Sequence, residues 1–316
     1  MQIVAPLRAR SHILRTRSEK PPLRRGAPNS RVTADIEWVS LRWFVGALLG
    51  GLLAACGATS VPVGSSDGRL PSLSAGSPAR LLFDDEFNAA SLDTRAWYTC
   101  YPWAKAGRGC SNNPSLELEW YRAANVSVSG GFLQLVAKKR QVVKGYPYTS
   151  GMVSTGGRLS TKATFAFLYG YAEARIRFPR GAGMWPAFWL VPANRTWPPE
   201  IDIMEWQGVH PRQDIVTIHW GSAKHQQQNG SAVDTGTDLY AGYHTYAVDW
   251  QPTAVVWYFD GKPIKRYTGP GIAHLPMYAI LNLAIGGWEP GQLNPSPSSF
   301  PATMSVDYVR IWNRKP

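Results

Sequence analysis

Short stretches of alternating apolar and polar residues follow one another along most of the chain. Residues 171–178, Tyr-Ala-Glu-Ala-Arg-Ile-Arg-Phe, alternate with a period of two, which predicts a strand with one buried face. Further strands are predicted at residues 126–129, 132–137, 244–250, 254–259, 264–267 and 303–312. Gly-Gly and Asp-Gly separate two pairs of these runs and predict tight hairpins. Without a long helical period or an internal repeat, the pattern predicts an all-β sandwich of two antiparallel sheets.

The first 79 residues differ from the rest. An apolar run at 43–55 is too short to span a bilayer stably, which takes about 20 residues, so it predicts a signal peptide. The run ends in Leu-Ala-Ala-Cys56-Gly, which resembles the lipobox of bacterial lipoproteins, where the cysteine is lipidated; a buried helix with an incidental cysteine is the alternative. We therefore expect a signal peptide with a misassigned N-terminal extension at 1–55, lipidated Cys56 with a flexible Ser/Gly/Pro linker at 56–79, and a folded domain at 80–316.

The net charge of +12 could indicate a protein that binds nucleic acid. Residues 1–55 contain nine Lys and Arg and three Asp and Glu, so half of the excess lies in the segment expected to be removed. The remainder is spread without a dense basic run, so we expect no nucleic-acid partner.

The predicted location is secreted or cell-envelope, as a bacterial lipoprotein. We expect a monomer that contacts the membrane through its lipid anchor only.

Two cysteines remain in the predicted domain, Cys100 and Cys110. A secreted location permits a disulfide between them, and two unpaired thiols are the alternative. The spacing of Cys and His does not fit a zinc site.

Three carboxylates lie within six residues in the segment Glu200-Ile-Asp202-Ile-Met-Glu205. Because a strand alternates faces, Glu200 and Asp202 share one face and Glu205 has the opposite parity. One extra residue, a β-bulge around Ile203-Met204, would turn Glu205 back to that face. A solvated acidic edge is the alternative, but the segment is apolar and flanked by tryptophans.

This spacing fits a known mechanism. Retaining glycosidases place two carboxyl groups about 5–5.5 Å apart, and Glu200 and Glu205 approach that separation if their side chains lean inward. Asp202 lies between them, where it can hydrogen-bond one glutamate and separate the pKa values of the pair. We expect the neighbouring charges to raise the pKa of Glu205.

The whole region from about residue 80 to 314 resembles glycoside hydrolase family 16. The resemblance rests on Glu200–Glu205, on Trp-Pro-Ala-Phe-Trp at 185–189, on 281–288 and on 306–310. It implies a jelly-roll β-sandwich of two curved antiparallel sheets with an open cleft on the concave side. It also implies that Glu200 is the nucleophile, Glu205 the acid/base and Asp202 a supporting carboxylate, with no cofactor for catalysis.

The bulged form of the motif looks like the laminarinase side of the family, so the predicted function is endo-acting hydrolysis of a β-linked polysaccharide, β-1,3-glucan first. Trp197-Pro-Pro leads directly into Glu200, whereas laminarinases often have a longer approach, and this departure leaves the substrate open. The alternatives are a hydrolase of a β-galactan or a bacterial exopolysaccharide, a transglycosylase, and a sugar-binding jelly roll without catalysis.

Five further residues are candidates for substrate binding. Trp185 and Trp189 have equal parity and can both stack on sugar rings, although core packing is as good a reading of Trp189. Trp206 follows the acid/base and is predicted to form the floor of a subsite. The resemblance places His219 near the catalytic acids, with a core histidine as the alternative. Asn282 is a candidate ligand for a sugar hydroxyl.

The resemblance also implies a structural calcium ion. Its ligands would be Glu86, the carbonyl of Gly131 and Asp307, and oxygen ligands from distant strands suit calcium. A surface carboxylate in the last strand is the alternative.

Overall fold

A computed structural model describes residues 78–104, 110–158 and 160–316. The predicted signal peptide, lipidated Cys56 and nearly all of the linker lie outside the described residues. Within them, no helix has the length and apolar character needed to cross a membrane.

The described residues form sixteen strands and two 3-10 turns, at Ala123–Asn125 and Pro297–Ser299. The strands are β1 (Leu81–Asp85), β2 (Glu119–Tyr121), β3 (Val126–Ser129), β4 (Phe132–Ala137), β5 (Tyr148–Ser150), β6 (Met152–Ser154), β7 (Gly170–Arg177), β8 (Met184–Pro192), β9 (Glu200–Glu205), β10 (Gln213–Ser222), β11 (His225–Asp234), β12 (His244–Trp250), β13 (Val255–Phe259), β14 (Lys262–Tyr267), β15 (Met277–Ile285) and β16 (Ala302–Trp312).

Two antiparallel sheets account for almost all of the strands. The outer sheet has eight strands in the order β14-β13-β12-β7-β16-β4-β3, with β1 also paired to β16. The cleft sheet has six strands in the order β11-β10-β9-β8-β15-β6, and β2 and β5 form a small parallel pair. The predicted all-β sandwich is therefore confirmed.

The apolar faces of the two sheets form one core. Leu133, Ile176 and Val248 contribute from the outer sheet, and Phe188 and Ile201 from the cleft sheet, all with no exposed surface. Because the core is close-packed, the strands that carry the acidic motif have little freedom to shift.

Each of the strands predicted from alternation is present, with bounds that agree to within one or two residues. Strand β11 was not predicted. It is the edge of the cleft sheet and is mostly exposed on both faces, so its sequence, His-Gln-Gln-Gln-Asn-Gly-Ser-Ala-Val-Asp, has no apolar periodicity to detect. Strand β15 was not predicted either, for the opposite reason. All nine of its residues are buried, so apolar and polar positions do not alternate along it.

The residues proposed for calcium are engaged in other contacts. Glu86 accepts hydrogen bonds from Nε and Nη2 of Arg310 at 2.6 and 2.8 Å, and Asp307 pairs with Nη1 of Arg175. Gly131 lies in the hairpin turn with a φ of +80°. Both carboxylates are thus paired with arginines in this arrangement. The calcium ion stays a prediction.

Candidate active site

The acidic strand contains the predicted bulge. Asp202 pairs with Thr217 of β10, and the next pair is Glu205 with Ile215, so three steps along β9 match two along β10. The pairing with β8 shifts at the same place. The extra residue returns Glu205 to the face of Asp202, and both line one cleft together with Glu200.

The cleft has a volume of about 1270 Å³ and lies on the cleft sheet. Its floor comes from β8, β9, β10 and β15. Its walls come from the edge strand β11 and from loop residues near 101–103, 112–117, 195–197 and 288–289. The cleft continues past both glutamates, towards Trp197 at one end of β9 and towards Trp288 beyond the other.

Two indole groups hold the two outer carboxylates. Nε1 of Trp197 donates to Oε2 of Glu200 at 2.8 Å, and Nε1 of Trp185 donates to Oε1 of Glu205 at 3.1 Å. Trp185 therefore lines the cleft as predicted. Trp197 was not predicted as a site residue, although it lies three positions before Glu200 and is 43% exposed. Each glutamate is thus fixed by one N–H donor.

His219 lies beside Asp202 and Glu200. Its Nε2 is 3.0 Å from Oδ2 of Asp202 and 3.7 Å from Oε1 of Glu200. Gln226 of β11 reaches back, and its Nε2 donates to Nδ1 of His219 at 2.8 Å. In this arrangement the Nε2 atom of His219 carries the ring proton and donates a hydrogen bond to Oδ2 of Asp202. Gln226 was missed because its strand was missed.

All three carboxyl groups of the motif have raised pKa values. Burial is the largest cause for each, because it disfavours the charged form. Burial and the charge of Asp202 raise the pKa of Glu200 to about 8, although His219 and Trp197 oppose the shift. Burial raises the pKa of Asp202 to about 7. The pKa of Glu205 lies well above its usual range, through burial first and then the charges of Asp202 and Glu200.

The buried carboxyl groups should lower the stability of the protein as the pH rises. The unfolded chain releases the proton of Glu205 near pH 4.3, whereas the folded protein retains it to a much higher pH. Above about pH 4.3 the folded state therefore binds more protons, and its stability falls with rising pH up to the folded pKa. Glu205→Gln removes this loss. We expect its melting temperature to exceed that of the wild type by a margin that grows from about pH 4 to pH 8.

Asp234→Asn is the matched control for that experiment. The pKa of Asp234 is lowered by the Gly236 N–H and by Arg212, so its stabilising effect is present at high pH and is lost on acidification. Asp234→Asn should therefore lower the melting temperature above about pH 4, whereas Glu205→Gln should raise it. A difference between Glu205→Gln and wild type that stays constant with pH would show that Glu205 is not titrating abnormally.

Trp189 and Asn282 line the cleft but also contact each other. Nε1 of Trp189 donates to Oδ1 of Asn282 at 2.7 Å, and Nδ2 of Asn282 donates to the hydroxyl of Tyr121 at 3.0 Å. Trp189 is 8% exposed and packs edge-on against Tyr101. The amide of Asn282 is therefore engaged in holding Trp189, and its predicted role as a hydroxyl ligand stays a prediction.

Trp206 does not lie in the cleft, and this prediction is wrong. Its side chain has no exposed surface, stacks on Phe178 at 5.3 Å and donates from Nε1 to the carbonyl of His210 at 2.8 Å. The bulge turns Glu205 towards the cleft, so the next residue points into the core.

One end of the cleft is aromatic and was not predicted. Tyr101 and Trp103 stack at 4.7 Å, and both line the cleft. Cys100 and Cys110 are joined in a disulfide with Cα atoms 5.1 Å apart, which closes the loop that carries these rings. Spacing between cysteines could not show that this loop reaches the active site.

Glu117 and Glu119 form a second buried acidic pair behind this end. Glu117 lines the cleft and accepts the Asn112 N–H at 3.1 Å, while Glu119 accepts the Ile285 N–H at 2.6 Å. Burial raises the pKa of both carboxyl groups. The two side chains therefore favour sharing protons over carrying two charges.

Comparisons with known proteins bear on this geometry. The profile of the family described as "Glycosyl hydrolases family 16" matches residues 113–310. The chain is 38% identical over 248 residues to an endo-1,3-1,4-beta-glycanase of Rhizobium meliloti, covering 73% of this chain and 51% of that protein, so it spans about half the length of that relative. It is 33% identical to a beta-glucanase of Rhodothermus marinus, covering 73% of this chain and 84% of that protein. The crystal structure of an endo-beta-1,3-glucanase from Pyrococcus furiosus superposes with a TM-score of 0.62 at 31% identity, covering 74% of this chain and 94% of that one.

Proposed function

The chain belongs to glycosyl hydrolases family 16, and we propose that it is a retaining, endo-acting hydrolase of a β-linked glucan, with β-1,3-glucan as the main substrate. The observation that carries the proposal is the bulge in β9, which brings Glu200 and Glu205 onto the floor of one cleft on either side of Asp202. Glucanase activity in the similar proteins supports the same conclusion.

The carboxyl groups have separate tasks in this proposal. The carboxylate of Glu200 forms a bond to the anomeric carbon as the glycosidic C–O bond breaks, and Glu205 gives its proton to the departing oxygen. Glu205 then takes a proton from water, which attacks the glycosyl–enzyme bond and releases Glu200. The raised pKa of Glu205 suits the first step, because the group must start protonated.

Glu200 must be ionised to act as the nucleophile. Burial and the charge of Asp202 raise its pKa to about 8, and His219 and the N–H of Trp197 oppose that rise. His219 and Trp197 therefore stabilise the charged form that the reaction needs. Because Glu200 and Asp202 interact, their protons leave as a coupled pair, so the acid limb of the rate profile belongs to both groups.

Endo action follows from the shape of the cleft. Lining residues extend beyond Glu200 to Thr196 and Trp197, and beyond Glu205 to Trp185 and Trp288. An internal segment of a polysaccharide can therefore lie across the carboxylates with sugar rings on both sides. Trp185 and Trp288 meet edge to face at 4.9 Å, and Trp288 is 43% exposed, which suits contact with a sugar ring.

The charges in the cleft favour an uncharged glycan. Five acidic side chains line it, at Glu117, Glu200, Asp202, Glu205 and Glu289. Among the lining residues that the structure describes, the cationic candidates are Arg195 and His219. The guanidinium of Arg195 already donates to the carbonyls of Pro102, Gly156, Arg158 and Thr161. Among the described lining residues, a sulfated chain would thus meet acidic side chains and find no free cation to pair with.

We expect kcat/KM on laminarin or a mixed-linkage β-glucan to exceed that on carrageenan by at least about 100-fold, since like-charge contacts cost several kcal/mol. Reducing-end release over a panel of laminarin, mixed-linkage glucan, agarose, carrageenan and bacterial exopolysaccharide measures this. Early products from laminarin should span many chain lengths. Comparable turnover of carrageenan, or release of a single short product from the start, would contradict the substrate or the endo assignment.

We also propose that the mature protein is secreted and held at the cell envelope by a lipid on Cys56. The support is the sequence alone, namely the apolar run at 43–55 and the lipobox-like residues before Cys56. The linker at 57–79 would then allow the domain to contact a polymer outside the cell.

A further inference from the structure

The bulge in β9 is supported from the opposite sheet. A bulge interrupts the hydrogen-bond ladder, so backbone groups beside it need partners from elsewhere. Trp257 of β13 lies in the outer sheet and is completely buried. Its Nε1 crosses the core and donates to the backbone carbonyl of Asp202 at 2.8 Å. The acceptor is therefore the peptide group of the central carboxylate of the motif, at the start of the bulge.

Lys265 reinforces this contact. It is the cross-strand neighbour of Trp257 on β14, and its Nζ lies 5.1 Å from the centroid of the indole. The same Nζ donates to the carbonyl of Asn229 at 2.8 Å and to that of Val216 at 3.4 Å. Val216 lies at the point of β10 where the register with β9 shifts. One lysine thus links the indole to β10, the neighbour of the bulged strand, and to β11 at the edge of the sheet.

A buried indole N–H normally finds an acceptor, and Trp250 shows the ordinary case. Trp250 is equally buried in the same sheet, and its Nε1 donates to the carbonyl of Ala273 at 3.1 Å, away from the cleft. The difference lies in the acceptor. Rotation of the Asp202 peptide would move its carboxylate, which contacts His219 and interacts with both glutamates.

We propose that Trp257 is a positioning residue for the reaction. It fixes the Asp202 peptide, and with it the place where the bulge falls and the geometry of the three carboxylates, and Lys265 holds the indole in place. This inference rests on the proposed function, because positioning matters only if the carboxylates do chemistry.

The test compares Trp257→Phe with Trp250→Phe. Each variant removes one buried indole N–H and leaves one backbone carbonyl without its donor, so the two should lose similar stability. We expect Trp257→Phe to lower kcat on laminarin by on the order of 10- to 100-fold with KM little changed, because small misplacements of catalytic groups have effects of that size. Trp250→Phe should keep kcat within about twofold, as expected for a site with no link to the carboxylates.

The pH dependence gives a readout that a merely structural role would not move. Loosening Asp202 weakens its charge effect on Glu205, so the alkaline limb of the kcat profile should move to lower pH in Trp257→Phe and stay in place in Trp250→Phe. The fall of the melting temperature between about pH 4 and pH 8 should also be shallower in Trp257→Phe, and this measurement needs no substrate.

A folded Trp257→Phe with wild-type kcat and an unmoved alkaline limb would overturn the proposal. If that variant does not fold, Lys265→Met decides in its place, since it keeps the apolar stem on a half-buried side chain and removes the ammonium. A lowered kcat, with the alkaline limb moved to lower pH, supports the proposal. An unchanged kcat and an unmoved alkaline limb overturn it. Failure of the proposed function would look different, because the wild type itself would then be inactive on every glucan.

Discussion

Glu200→Ala is expected to lower kcat on laminarin by on the order of 10⁴-fold or more, because removal of a covalent nucleophile has effects of that size. Without the carboxylate no glycosyl–enzyme bond can form. Azide should enter the vacated space, attack the anomeric carbon directly and restore turnover of an aryl β-glucoside oligomer. The product should be the α-glycosyl azide, with inverted configuration, as identified by proton NMR.

Glu205→Ala is the matched variant for that experiment. It retains the nucleophile, so an activated substrate still forms the intermediate, and azide then attacks the intermediate from the opposite face. The product should be the β-glycosyl azide, with retained configuration. The opposite pairing of variants and products would mean that the two roles are exchanged. A Glu200→Ala enzyme with near wild-type rate would remove the assignment altogether.

Asp202→Asn should shift both limbs of the rate profile to lower pH. The charge of Asp202 raises the pKa of Glu200 and of Glu205, so its removal lowers both. We also expect kcat to fall on the order of 10- to 100-fold, less than for either glutamate. Asp202 itself neither bonds to the sugar nor gives it a proton, and acts only through the two glutamates. The measurement is kcat/KM against pH for both proteins on a soluble laminari-oligosaccharide.

Glu289→Gln is the control for the charge effect. Glu289 lies at the rim of the same cleft, within 3.4 Å of His210 and away from the bulge. Its loss should leave the limbs in place. Limbs that stay put in Asp202→Asn, with the rate unchanged, would show that the central carboxylate does not couple to the acid/base.

The sequence predicted the chemistry of the motif because its constraints are local. Strand parity put Glu205 on the wrong face, and a bulge was the simplest way for three carboxylates to meet, which the register of β9 confirms. The same parity argument applied to the next residue would have placed Trp206 in the core, so that error was avoidable.

Other features of the site depend on contacts between distant segments. Trp257 reaches Asp202 from 55 positions away and from the other sheet, and Gln226 reaches His219 from an edge strand without an apolar pattern. The raised pKa of Glu205 was expected from neighbouring charge, yet burial is the larger cause. Burial depends on how loops and strands close over the motif, and a local sequence pattern does not contain that information.

The central claim is that Glu200 and Glu205 carry out a double displacement. The most direct test is the anomeric configuration of the first product released from a reduced laminari-oligosaccharide, followed by proton NMR before mutarotation. The account predicts that the β-anomer appears first and that the α-anomer grows in later at the rate of spontaneous mutarotation. Initial appearance of the α-anomer would mean single displacement by water and would contradict the roles given to Glu200 and Glu205.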